Sequence, residues 1–127
     1  MSFILTIDDE LAAILEEFEV DRPIALARLE SLAQAGHQSA ILCFALELSF
    51  DGLNDSEATP WLLRAVAFGS GEAAWNLAMI ARIRGDSAAM CKWIDRAAAL
   101  GEEDAVEVRN RGYDVTSFLQ DDADGSR

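Results

Sequence analysis

Apolar residues recur along this chain at intervals of three and four, the spacing of a helix with one buried face. Leu11, Ile14, Leu15 and Phe18 form the first such stripe, and Glu10, Glu16, Glu17 and Glu19 take the other side. The spacing predicts a helix from about Thr6, where "TIDD" supplies a capping hydroxyl and two acids for the positive helix end. Asp21 caps a second helix, with Pro23 in its first turn; Ala25, Leu29, Leu32 and Ala33 are its inward face, and Gly36 stops it. A third helix runs from about Gln38 to Phe50, with Ile41, Phe44, Ala45 and Leu48 inward.

The turn-rich "DGLNDSEATP" leads to a fourth helix near Pro60 to Phe68, ended by Gly69. "SGEAAWNLAMIARIRG" forms a fifth up to Gly85; Asp86 caps a sixth that reaches Leu100 and is closed by Gly101. A seventh covers about Glu103 to Arg111, "DVTSFLQ" adds at most a short turn of helix, and "DDADGSR" has nothing to bury. The fold class is therefore all-α.

Some of these signals repeat in register. Gly36, Gly69 and Gly101 each end a helix, and Ala40, Ala73 and Ala105 each stand four residues later. Trp61 and Trp93 each stand eight residues before a glycine, and Ala65 and Ala97 four before it, each preceded by an arginine. A helix pair of this size cannot bury its own apolar face, so such pairs stack on their neighbours. In that arrangement the alanines permit close helix approach and the tryptophans fill the wider gaps between adjacent pairs. The predicted organisation is one domain over residues 1–120. It comprises a degenerate first pair (1–36), two repeats (37–69 and 70–101) and a capping helix (102–120), followed by a disordered acidic tail (121–127).

"AAWNLA" (Ala73 to Ala78), "WLLRAVAFG" (Trp61 to Gly69) and "WIDRAAALG" (Trp93 to Gly101) resemble the Sel1-like repeats, relatives of the tetratricopeptide repeats. "SAILCFALELSFDG" (Ser39 to Gly52) is a weaker copy, and the resemblance covers about residues 28–113. Ala78 stands where the family has glycine, Ala81 replaces its tyrosine, and "RGDSA" is a shortened loop. The resemblance implies a short right-handed superhelix that binds proteins or peptides on its inner surface, without shared catalytic apparatus.

Charge sharpens the picture. The formal net charge is −13. Residues 1–57 hold 12 acids against two arginines, residues 58–101 three acids against five bases, and residues 102–127 eight acids against three arginines. Acidic ends repel nucleic acid and anionic membrane and speed encounter with a cationic protein; acidity alone also keeps a small protein soluble. The opening "MSFILTIDDE" lacks the basic start of a secretory signal, and no apolar run approaches a membrane span. Cys43 and Cys91 lie in apolar helical runs without paired spacing and read as buried, reduced thiols in preference to a disulfide between them, so a cytoplasmic location is expected.

Chemistry is sparse. His37 is the only histidine and sits in a turn, so no metal ligand set is expected, and no cofactor either. The pairs Asp8-Asp9, Glu16-Glu17 and Glu102-Glu103 are adjacent and do not share a helix face. "GSGE" lacks the lysine of a phosphate loop, and no Gly-x-Ser-x-Gly occurs. An enzyme is not expected. Arg82, Arg84, Lys92 and Arg96 are too few for nucleic-acid binding against the overall charge.

On the fifth helix, Ala74, Leu77, Ala78 and Ala81 fall on the packed side, while Trp75, Asn76, Met79 and Arg82 form a neighbouring stripe. That stripe, with Glu47 and Asp51, is the candidate partner-binding face; the competing reading places Trp75 in the core. Two functions fit: a small acidic inhibitor or immunity-type protein that masks a basic partner such as a toxin, or an adaptor that binds a peptide segment of a larger assembly. Polar "VRNRG" at one end and the acidic first helix at the other predict a monomer.

Overall fold

The computed structural model describes residues 7–50 and 55–123. Among these the chain forms α1 (Ile7–Glu17), α2 (Arg22–Gln34), α3 (Gln38–Ser49), α4 (Asp55–Ala67), α5 (Gly71–Ile83), α6 (Ser87–Ala99), α7 (Glu103–Asn110) and α8 (Val115–Ala123), and no strand. The fold is all-α. None of the helices is long and apolar enough to cross a membrane, among the described residues. Two compact units emerge, Met1–Trp61 and Leu62–Arg127, with the division inside α4 and not at a repeat boundary. In the first, α1 packs on α2 and α2 on α3; in the second, α5 packs on α6, α6 on α7 and α7 on α8. Within each unit, helices that pack are neighbours in sequence, the packing order of a helical repeat array.

One joint recurs between helices. Gly36 takes φ +95°, its N–H donates to the Ala33 carbonyl at 3.0 Å, and the His37 N–H donates to that of Leu32 at 3.4 Å. This pair of bonds closes a helix C-terminus around a left-handed residue. The same two bonds form at Gly69 with Ser70, at Gly85 with Asp86, and at Gly101 with Glu102. In these last three the residue after glycine also starts the next helix. Ser70 accepts from the Ala73 N–H, Asp86 from that of Ala89, and Glu102 from that of Ala105. His37 occupies the same extended N-cap conformation but makes no side-chain cap bond.

Alanine is the commonest residue of the core. Ala40, Ala73 and Ala105, in register after their glycines, are all buried, as are Ala25, Ala33, Ala58, Ala65 and Ala97. Small side chains allow helix backbones to approach; at Gly71 a Cβ would already lie 3.1 Å from that of Glu102. Ile14, Leu29, Leu62, Ile94, Val108 and Phe118 supply the larger buried volume.

Several expectations need correction. Leu15 is exposed, because α1 packs chiefly on α2 among the described residues, and that neighbour covers only the narrow arc of Leu11 and Ile14. Cys43, Cys91 and Leu32 are half-buried. The helix expected near Pro60 begins at Asp55, so Pro60 lies inside it. Ser56 and Pro60 are both exposed, so solvent can take the Ser56 carbonyl that a proline ring nitrogen cannot serve. The Trp61 ring meets Phe44 of α3 edge-on, at 5.2 Å and 85°. The C-terminal end holds two helices where one cap was expected, and α8 extends to Ala123, into the segment read as tail. The Thr6 cap falls outside the described residues.

The uncapped joint gives a direct test. Replacing His37 with Ser supplies the missing cap acceptor and raises unfolding stability by about 1 kcal/mol, while Gly101→Ala at φ +88° lowers it by about 1–2 kcal/mol. Urea denaturation followed by circular dichroism reads both as shifts of midpoint at unchanged slope.

Candidate functional site

The stripe expected as a partner face runs along α5. Its packed side is as predicted: Ala74, Leu77, Ala78 and Ala81 are buried, and Ala73 and Ile80 join them. Trp75, Asn76, Met79 and Arg82 are each half-buried. The Trp75 ring meets Phe118 of α8 edge-to-face, with centroids 5.7 Å apart at 74°. Arg82 Nη2 donates to Thr116 Oγ1 of α8 at 3.2 Å, and Asn76 Nδ2 donates to the Glu72 carbonyl of its own helix at 2.9 Å. The stripe thus faces α8, which engages two of its four members. Glu47 accepts from Arg22 Nη1 at 2.7 Å. Asp51 lies outside the described residues.

A side chain at α7's C-cap also reaches α8. Arg111 donates to Asp121 Oδ2 at 2.5 Å and to Glu107 Oε1 at 2.8 Å, and its guanidinium lies 5.9 Å from the Phe118 ring centroid. These bonds, that to Asp121 foremost, hold Arg111 more firmly protonated than usual. Phe118 and Val115 are buried beneath it. The turn between α7 and α8 departs from the other joints. Gly112 at φ +71° is followed by Tyr113 at φ +66°, a second left-handed residue that carries a side chain. Such a conformation costs roughly 1–2 kcal/mol. The Tyr113 hydroxyl donates to Asp95 Oδ1 at 2.6 Å, which pins the turn to α6 and raises the phenol's pKa.

A second surface was not legible as a stripe. At the turn joining α1 to α2, Val20 is 87% exposed, Ile24 51% and Leu15 41%. Glu16 and Glu19 are exposed among them. The only two cations within residues 1–57 are drawn into ion pairs, Arg22 with Glu47 and Arg28 with Glu17, and Arg22 also lies 5.5 Å from the Phe18 ring centroid. Exposed ion pairs of this kind stabilise little, at about 0–1 kcal/mol each. Their effect here is on the field: the neighbouring carboxylates keep the apex of this hairpin negative. Val20 follows the last turn of α1 and belongs to no periodic row, so only its position between two helices marks it.

Among the described residues no three His, Cys, Asp or Glu side chains gather as a metal ion requires. His37 sits at a helix start, and nothing in the described residues brings it to a nucleophile. Comparison with family models, with curated proteins and with solved structures gave no match.

Tyr113 is the only tyrosine, so its ionisation can be read without ambiguity. Its raised pKa, caused first by the bond to Asp95, means the fold favours the protonated phenol. That contribution is complete below the usual tyrosine value of about 10 and is lost as pH rises through the higher folded value. Absorbance titration near the tyrosinate band should show a midpoint above that usual value, and Asp95→Ala should bring it down.

Proposed function

We propose that this chain is a non-catalytic protein-interaction module, most concretely a small acidic inhibitor or immunity-type protein that masks the basic surface of a partner such as a toxin. The observation that carries the reading is the hairpin apex of α1 and α2. Large apolar side chains stand in solvent there among carboxylates, and the nearby arginines are already held by acids. An apolar centre with a rim of one charge is what a protein interface of opposite charge needs: the centre supplies affinity, the rim speeds and orients encounter. The net charge of −13 works in the same direction over longer range. The resemblance to Sel1-like repeats supports recognition by surface and not by a reactive centre. In this reading the protein is a monomer when free, acts in the cytoplasm with its thiols reduced, needs no cofactor and binds neither nucleic acid nor membrane.

The adaptor reading keeps one observation of its own. The α5 face that carries Trp75 and Arg82 already receives a short helix, α8, and a face of that kind suits a helical peptide.

The test begins with the tagged chain recovered from its own cells and the captured protein identified by mass spectrometry. Val20→Asp with Ile24→Asp should weaken the purified complex by about tenfold or more, with the thermal melt unchanged. Glu16→Lys with Glu19→Lys should slow association and flatten its salt dependence. A partner that binds all of these variants like the parent chain would overturn the inhibitor reading, and one displaced by a short helical peptide at Trp75 would favour the adaptor.

A further inference from the structure

The C-terminal helix is placed unlike any other in the chain. Nine residues long, α8 is too short to persist in water on its own and depends on what it packs against. Its two specific contacts on α5 are Phe118 on Trp75 and Thr116 on Arg82, and from α7 Arg111 reaches Phe118 and Asp121. These contacts join α8 to a body from which it is separated by one short turn. That turn is the strained one: Gly112 and Tyr113 are both left-handed, and Tyr113 is the positive-φ non-glycine residue of the described chain. The cap of α8 travels with it, because the Ser117 N–H donates to Asp114 Oδ1 at 2.9 Å on the far side of the turn.

We propose that α8 is an exchangeable element: in a pair of chains, each α8 leaves its own α5 and seats on the α5 face of the second copy, with Gly112 and Tyr113 as the hinge. The occupant is set by the structure itself. A second copy presents the same Phe118, Thr116 and Asp121 to the same Trp75, Arg82 and Arg111, so every contact of α8 with α5 and with Arg111 is made again across the pair. The bonds given up are those of the turn, Gly112 N–H to the Arg109 carbonyl, Tyr113 N–H to that of Val108 and Val115 N–H to that of Tyr113, with the Tyr113–Asp95 bond. Against this, opening the hinge releases the left-handed Tyr113. A tight, strained turn with a short terminal element beyond it is the arrangement that favours exchange between protomers. At low concentration the closed monomer prevails, since a pair must first form; the two-chain form grows with concentration. Its partner-derived residues complete the Trp75 face, so one chain contributes Trp75 and Arg82 and the other contributes Phe118.

The experiment uses the full chain and light scattering after size exclusion, from micromolar to millimolar loading. The parent chain should show a dimer fraction that rises with concentration and reverts slowly on dilution. Deleting Gly112 and Tyr113 together makes the closed turn impossible and should raise the dimer fraction many-fold. Tyr113→Gly relieves the strain in place and should lower it several-fold. In the deletion background, Phe118→Ser should abolish the dimer while circular dichroism keeps most of its helical signal. A deletion chain that remains monomeric overturns the proposal, and so does a dimer that survives Phe118→Ser, since such a dimer is held by some other surface.

Discussion

The structure depends on a joint of two residues. A glycine turns left-handed and its N–H closes the helix behind it; the next residue closes the same helix with its own N–H and starts the one ahead with its side chain. Two orphaned carbonyls of the helix behind and one orphaned N–H of the helix ahead are thereby met within a few residues, without help from distant parts of the chain. With little slack between them, consecutive helices within each unit, such as α2 and α3 or α5 and α6, lie against one another. The short connection favours packing between those neighbours before the core adds its own contribution.

The core then takes the form that such close pairing permits. Buried alanines stand where helices approach, and the buried volume is concentrated in a few positions such as Ile14, Leu29, Leu62, Ile94 and Phe118. Aromatic residues act inside local groups: Trp61 against Phe44, Trp75 against Phe118. An edge-to-face pair of this kind adds about 0.5–1.5 kcal/mol beyond the area it buries. Because most packing joins elements adjacent in sequence, little loop entropy opposes it, a property of chains that fold through local contacts.

How much of this could be read from residues alone follows from the range of each interaction. Gly36, Gly69 and Gly101 were legible because a positive φ is a local requirement that glycine meets best, and Asp21 and Asp86 because a cap acts within three residues. The inward faces of α3 and α5 were legible because neighbours cover them broadly. Leu15 was not, since its burial depends on how wide an arc of α1 its single neighbour shields. The start of α4 was hidden by Pro60, which reads as a helix beginning although it sits past the first turn. For the candidate face the limit is sharper. Trp75 and Phe118 are 43 positions apart by number, and nothing in either local pattern announces the other. The exposed Val20 and Ile24 carry no period at all, and became visible only once the hairpin was drawn.

One further consequence belongs to the joint itself. Where the glycine's successor also caps the next helix, as at Gly69 and Gly101, a stretch cut from one glycine to the next would carry its own end bonds wherever it was inserted. Duplication or loss of such a stretch leaves the remaining ends intact, so an ancestral gene can lengthen or shorten by whole hairpins while its product still folds. The near-equal spacing of Gly36, Gly69 and Gly101 is the trace such copying would leave.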